Sequence, residues 1–387
     1  MAITVLHVID TLGYGGAERF LVGLVRFLDR ERFRPLVAWL TAAGPFTQVL
    51  EEAGIPVVGV QAKGHRDARA LIRLRRIMRA ERVDIVHTHL FVDGFYGRLA
   101  ALMAGVPVRV VTQQNAYEDP RLRLPGWQIQ ANRLLARVTH HFVAVSTATR
   151  DYLHRVEGVP LSRISVVPNA VAPPPPLDRT AVQGIRQQWA PTGERLVGTI
   201  ARLEPQKGLD ILVEAMAIVR RSVPNVRCII VGQGELRPTL EAHIRRLNLG
   251  EHVRLVGLRG DVWHVLGALD VFVLPSRFEG LSLALLEAMA VGTPVVATAV
   301  SGTVEVVQDG VTGRLVPPED PDTLAQALVD MLRYRETARR LGEAGRRLVL
   351  ERYTLPRIAR EYETLYLSLL SRHARCNSLK NSVNRRS

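Results

Sequence analysis

Short β-branched apolar runs alternate with longer amphipathic stretches along most of the chain, and this alternation restricts the fold more than any other feature. Ile3–Ile9 precedes a helical stretch from Ala17, Pro35–Leu40 precedes Phe46–Ala53, Ile55–Val60 precedes Ala68–Ala80, and Asp84–Thr88 precedes Gly94–Ala104. Val108–Thr112, Trp127–Val138 and His141–Val145 continue the series. Continuous apolar strands separated by helices are the pattern of a parallel sheet covered on both faces, so the fold class is α/β. The rhythm breaks at Val171–Leu177, where Pro173 to Pro176 cannot enter a helix or a central strand and stiffen the chain. It restarts with Arg195–Ile200, a helix from Gly208, Val226–Val231, Leu236–Leu247, His252–Val256, Asp270–Leu274, Leu283–Ala290 and Pro294–Ala297.

Two doubly wound, Rossmann-like domains follow, spanning 1–172 and 173–354, and expected to face each other across a cleft. A last helix over 355–372 comes after the second sheet is complete and is expected to cross back to the first domain, leaving 373–387 as a frayed polar tail. Hydrophobic residues make up 47% and charged residues 23%, which excludes a disordered or fibrous chain. The window 281–300 is interrupted by Glu287, Gly292 and Pro294, so it reads as helix, turn and strand rather than a membrane span. Cys228 and Cys376 offer no disulfide framework and no metal-ligand spacing. With a first strand at Ile3–Ile9 in place of a signal peptide, the expected location is the cytoplasm.

The net charge is +14, which calls for anionic partners. Among 51 basic residues only Lys63, Lys207 and Lys380 are lysine, so each lysine stands out. Ligands of doubly wound sheets gather at the carboxyl ends of the strands, and three segments there carry candidate chemistry. Gly13, Gly15 and Gly16 form a flexible loop that feeds a helix, whose free N–H groups suit an anion, although a glycine turn for chain reversal alone has the same sequence. The third position of a dinucleotide fingerprint is Glu18 and no P-loop pattern occurs, so neither NAD nor P-loop nucleotide binding is expected. Arg202 and Lys207 share a strand-to-helix loop and suit a diphosphate. In the segment Pro275–Met289, Glu279 lies in a loop and Glu287 inside the following helix, while the N–H groups near Ser282 and Leu283 suit a phosphate.

These segments, with Val167-Pro-Asn169, Val231-Gly-Gln-Gly234-Glu235, Phe278-Glu-Gly280 and Gly292-Thr-Pro-Val-Val296, resemble a GT-B glycosyltransferase of the retaining family 4 type over nearly the whole chain. The resemblance implies a donor site for a nucleoside-diphosphate sugar. Gly15 and Gly16 would approach its phosphates, Arg202 and Lys207 would neutralise them, Glu279 would hold the transferred sugar and Glu287 the ribose. Gly280, Leu281, Ser282 and Leu283 would line the donor, and Val256 to Arg259, including Leu258, would border the base. The catalytic set is then Arg202, Lys207 and Glu279. One departure falls after Val111-Thr112, where the family often presents a histidine and this chain has Gln113-Gln114-Asn115. Gln114 is the expected acceptor-side contact, and glutamine is no useful general base. His87 and His89, at the end of another strand of the first domain, could compensate as acceptor-side groups, although a strand-end histidine is more often structural.

No metal is expected, because the D-x-D at Asp320 and Asp322 precedes a helix and reads as a cap, and the basic pair can serve the leaving diphosphate. The expected activity is sugar transfer to an acceptor hydroxyl with retention of configuration. A glycan, polysaccharide, lipopolysaccharide or lipid-linked acceptor is expected. A sugar-nucleotide 2-epimerase, needing no acceptor, and a non-catalytic sugar-nucleotide-binding scaffold are the alternatives. Arg66, Arg69, Arg73, Arg75, Arg76, Arg79 and Arg82 interleave with Leu71, Leu74 and Ile77, a cationic amphipathic stretch that suits peripheral contact with an anionic inner membrane face. The same stretch reads equally as an ordinary helix with a solvated basic side. Aromatic residues are only 5% and no nucleic-acid module is present, so nucleic acid is not an expected partner.

Overall fold

A computed structural model describes residues 2–64, 67–90, 92–115 and 125–384. The chain divides into two compact units, 1–169 with 355–387, and 170–354. The boundary lies at Asn169/Ala170, ahead of the proline run. Val171 belongs to the second unit because it bridges Thr354 and donates its N–H to the Tyr353 carbonyl at 3.0 Å.

The first unit runs β1 (Ile3–Thr11), α1 (Gly16–Phe27), β2 (Phe33–Ala42), α2 (Pro45–Glu52), β3 (Val57–Gly59), α3 (Ala68–Ala80), β4 (Ile85–His89), α4 (Val92–Ala104), β5 (Val108–Gln113), α5 (Gly126–Ala136), β6 (His141–Ala144), α6 (Thr147–Arg155) and β7 (Ile164–Val166). Its seven strands are parallel, in the order β3-β2-β1-β4-β5-β6-β7. Alternate residues of β1 feed two cores: Leu6 and Val8 pack with Leu74 and Met78 of α3, whereas Ile9 packs with Leu21 and Val25 of α1. Burial on both faces explains why the strands read as unbroken apolar runs. The strand order reverses between β1 and β4, so the loops after these two strands flank the switch point.

The second unit runs α7 (Arg179–Trp189), β8 (Arg195–Ile200), α8 (Leu209–Ser222), β9 (Val226–Val231), α9 (Arg237–Arg246), β10 (Val253–Gly257), α10 (Val262–Ala268), β11 (Val271–Leu274), α11 (Leu283–Val291), β12 (Val295–Thr298), α12 (Thr303–Val306), β13 (Arg314–Val316), α13 (Pro321–Arg333) and α14 (Arg335–Arg352). Six parallel strands take the order β10-β9-β8-β11-β12-β13, and the switch point lies between β8 and β11. Val197, Leu212, Met216, Ile230 and Leu328 lie in one buried core.

The final helix, α15 (Leu355–Asn384), belongs to the first unit. The expectation of a frayed tail from 373 is corrected, because the helix continues to Asn384. Residues 373–384 contain neither Gly nor Pro, and polarity alone does not stop a helix already nucleated by its packed part. That packed part is specific: the Asp29 N–H donates to Glu363 at 2.7 Å, and Tyr362 and Tyr366 are fully buried. Asp320 caps α13, accepting the Thr323 N–H at 2.9 Å, so the D-x-D marks a helix start. Among the described residues no helix is long and apolar enough to cross a membrane.

Candidate functional site

The loops after β8 and β11, on either side of the second unit's switch point, meet backbone to backbone. Gly208 closes the first loop with φ +59°, and a Cβ there would lie 2.1 Å from the Pro275 carbonyl oxygen, so only glycine fits. Across this contact Lys207 Nζ donates to Glu279 Oε1 at 2.6 Å, and the Ser276 hydroxyl donates to the same oxygen at 2.7 Å. Both partners of the ion pair are largely buried, with side-chain exposures of 15% and 5%. No partner for Glu279 Oε2 is found among the described residues. A buried ion pair supplemented by a hydroxyl is poor value for stability alone, since hydrophobic replacements of similar volume do as well. Its chemical asset is a fixed ammonium and a fixed carboxylate side by side.

Arg277 joins the two loops more broadly. Its guanidinium makes five hydrogen bonds, to the Pro205 carbonyl (2.8 Å), to both oxygens of Asp210 (3.0 and 2.8 Å) and to both oxygens of Glu319 (2.7 and 3.2 Å). Its backbone N–H donates to the Gln206 carbonyl at 2.8 Å, and Gln206 Nε2 donates to the Phe278 carbonyl at 3.0 Å. The hydrogen bonds to Asp210, then those to Glu319, raise the guanidinium pKa above its already high ordinary value.

The other expected donor residues differ in burial and in partners. Ser282 is the N-cap of α11, accepting the Leu285 N–H, while Leu281 and Leu283 are buried. Gly280 is backed by the loop after β12, where a Cβ on Gly302 would fall 1.6 Å from the Gly280 oxygen. Glu287 is buried within α11. Arg202 stands apart: it is 54% exposed and pairs with Glu204 at 2.8 Å instead of joining Lys207 and Glu279. Val256 lies in β10, and Leu258 just beyond it is 44% exposed. Arg259 stacks over Trp189 at 5.0 Å and pairs with Asp261.

In the first unit, Gly15 is the N-cap of α1 with φ −109°, and none of Gly13, Gly15 and Gly16 adopts left-handed backbone. A Cβ on Gly16 would meet nothing within 4 Å. Chain reversal therefore does not require Gly16, and the turn-only reading loses its support there. The Glu18 carboxylate lies against Gly15, where a Cβ would come within 1.9 Å of its Oε2. Gln114 is buried and accepts a hydrogen bond from Asn169 Nδ2 at 2.9 Å, with its own Nε2 unpartnered among the described residues. Residues 116–124 and Arg66 lie outside the described residues.

His89 is fully buried and offers no surface to an acceptor in this structure. Its Nε2 lies 3.3 Å from His7 Nδ1, while His87 is bound by Tyr366 (2.6 Å) and Thr112 (2.7 Å). Burial holds all three histidines neutral, lowering His89 to about 3 and His7 and His87 well below their ordinary value. Their ligand atoms lie within 4.8 Å of one another, the one such group found among the described residues. The rings of His87 and His89 stack at 4.4 Å, and both nitrogens of His87 are already hydrogen-bonded, while His7 Nε2 and His89 Nδ1 have no partner among the described residues. A metal held by all three rings would have to displace one of the two hydrogen bonds of His87.

Sequence reasoning missed Ser276, Gln206, Arg277, Asp210, Glu319 and His7. The first three sit inside segments already singled out, but the hydrogen bonds they make, Ser276 to the Glu279 carboxylate and Gln206 and Arg277 to backbone carbonyls, leave no pattern in sequence. His7 becomes visible only through the register that sets it opposite His87.

Residues 14–173 match glycosyltransferase family 4, and residues 183–348 match the glycosyl transferases group 1. An Escherichia coli UDP-Gal:alpha-D-GlcNAc-diphosphoundecaprenol alpha-1,3-galactosyltransferase is 30% identical over 81% of this chain and 84% of its own length. A Bacillus anthracis N-acetyl-alpha-D-glucosaminyl L-malate synthase is 26% identical over 77% of this chain and 78% of its own. Among solved structures, Anabaena HepE in complex with UDP and glucose superposes with a TM-score of 0.85 at 23% identity, covering 95% of this chain and all (100%) of that one. The fold is accordingly GT-B, and the chain belongs to the glycosyltransferases, its first half matching glycosyltransferase family 4 and its second half the glycosyl transferases group 1.

Proposed function

We propose that this glycosyltransferase binds a nucleoside-diphosphate sugar at the loops after β8 and β11 and transfers a hexose-type sugar to an acceptor hydroxyl with retention of configuration. The observation that carries the reading is the buried Lys207–Glu279 pair at the switch point, with the N-terminus of α11 beside it in sequence. Lys207 supplies positive charge to the leaving diphosphate, where preorganised charge lowers the barrier most. Arg202, exposed and paired with Glu204 alone among the described residues, turns from that carboxylate to the diphosphate when donor binds. Glu279 orients Lys207 through Oε1 and offers Oε2 to a hydroxyl of the transferred sugar. Glu287 binds the ribose, Leu258 borders the base, and Gly15 and Gly16 give the phosphates close backbone approach.

The bond from the anomeric carbon to the diphosphate oxygen breaks as the acceptor oxygen attacks from the same face, and the departing oxygen takes the acceptor's proton. No protein base is needed, which suits Gln114 as an amide contact to the acceptor. The cationic side chains carry the charge role, so transfer proceeds without a divalent ion.

The acceptor we favour is glycan or lipid-linked, used at an anionic membrane surface. Arg69, Arg76, Arg79 and Arg82 are exposed on and after α3. Ile72 (45% exposed) and, on α4, Leu102 (45%) and Met103 (43%) add apolar surface. Arg73 serves the fold instead, pairing with Asp67 at 2.7 Å.

The test is transfer from UDP-, GDP- and ADP-sugars to a panel of saccharide and lipid-linked acceptors, with the product's anomeric configuration read by NMR. A product with retained configuration is expected, formed equally in EDTA. Inverted product refutes the mechanism, and an isomerised donor formed without acceptor assigns the chain to the epimerase alternative.

A further inference from the structure

We infer that Arg277, anchored by Asp210 and Glu319, is the positioning residue that sets Lys207 and Glu279 in their working geometry; this rests on the donor-site reading above. The two members of the pair come from loops separated by 72 residues of sequence, so their 2.6 Å contact depends on whatever registers one loop against the other. Arg277 does so from the loop that carries Glu279. It sits two residues before Glu279 and grips the first loop at the Pro205 carbonyl, two residues before Lys207. Its backbone N–H and the Gln206 side chain add a reciprocal pair of bonds across the same seam.

The anchors are built for this task. Asp210 is in the first turn of α8, and each of its oxygens takes one Nη group, which prevents the guanidinium from rotating. Glu319 reaches from the segment between β13 and α13, and it is one of the few non-glycine residues with left-handed backbone, at φ +60°. A glutamate is seldom found there, and strain of this kind persists where surrounding contacts fix it. Here the contact is the two-pronged bond to Arg277 Nε and Nη2. All five N–H donors of the guanidinium are thereby engaged, and a lysine at 277 could neither span both carboxylates nor hold the plane.

Three variants separate positioning from plain stability. Glu319→Gly removes a carboxylate anchor while relieving the left-handed backbone, so a purely structural role predicts unchanged or higher stability and unchanged turnover. Positioning predicts about a tenfold loss of kcat/KM for donor at an unchanged melting temperature, since displacements near 1 Å at a reacting site cost about a hundredfold. Arg277→Lys is expected to lose about a hundredfold, mostly in kcat, with Glu319→Gln intermediate between wild type and Glu319→Gly. Hydrogen exchange across β8 to β13 is measured in parallel. Unchanged kcat/KM in Glu319→Gly, or losses in Arg277→Lys no larger than its unfolded fraction, overturn the inference. Lys207→Ala is the control: if it leaves donor binding and turnover intact, the donor-site reading itself falls, whatever the Arg277 variants do.

Discussion

Acidification should weaken the first unit selectively, through three histidines held neutral in its core. His7, His87 and His89 are each fully buried, and burial depresses all three pKa values, His89 to about 3. A histidine whose folded pKa is lowered binds fewer protons folded than unfolded, so stability is intact above the unfolded value of about 6.5 and falls as pH drops below it. At pH 5.5, one unit below that value, each such histidine contributes a loss of about 1.4 kcal/mol, and three together about 4 kcal/mol. That is a large part of the ~5–15 kcal/mol typical of a domain. His140 and His141, both lowered to about 4 mainly by burial, act in the same direction. Asp67, lowered to about 2, titrates below this window. A chain of two units need not unfold in one step, so the assay is local: hydrogen exchange with mass spectrometry at pH 7.5 and 5.5, corrected for intrinsic exchange. Protection in β1, β4 and β5 should fall steeply while β8, β9 and β11 change little. Equal losses in both units, or undiminished protection in β4, would refute the reasoning.

Further outcomes follow from the same geometry. Gly208→Ala forces a side chain into left-handed backbone and onto the Pro275 carbonyl, so thermal melts should show the second unit destabilised by about 2 kcal/mol or more, with donor binding lost as well. Gly16→Ala meets no neighbour within 4 Å among the described residues, so the melting temperature should hold while KM for donor rises; unchanged kinetics would remove Gly16 from the site. Glu279→Gln keeps the side-chain shape but strips the charge that orients Lys207, and transfer should drop about a hundredfold with the fold intact by circular dichroism. In sedimentation with vesicles, the protein should bind anionic but not neutral lipid, and Arg69→Glu with Arg76→Glu should abolish binding.

Much of the fold was legible because parallel strands buried on both faces leave unbroken apolar runs, as in Val271–Leu274 and Val295–Thr298. The strands β7 and β13, at three residues each, are too short to form a recognisable run. Helix α14 is punctuated by Gly342 and Gly345, which look like breakers in sequence. Both are there for close approach, since a Cβ would meet the Gly292 oxygen at 2.3 Å or the Thr312 oxygen at 2.9 Å. At the site, Lys207 and Glu279 stood out by residue type and strand-end position, whereas Arg202 pairs with Glu204, two residues on in the same loop, a choice set by the loop's conformation rather than by residue type. The positioning contacts of Gln206 and Arg277 depend on loop register, which no local pattern encodes.

The proposed donor site stands or falls with the Lys207–Glu279 pair. Calorimetric titration of UDP-, GDP- and ADP-sugars into the wild-type protein and Lys207→Ala tests it most directly. The account predicts saturable binding of one nucleotide class, weakened at least about tenfold in the variant, which is a loss of about 1.4 kcal/mol. Binding by the variant as tight as by the wild type, or no binding of any nucleotide sugar to the wild type, would contradict it.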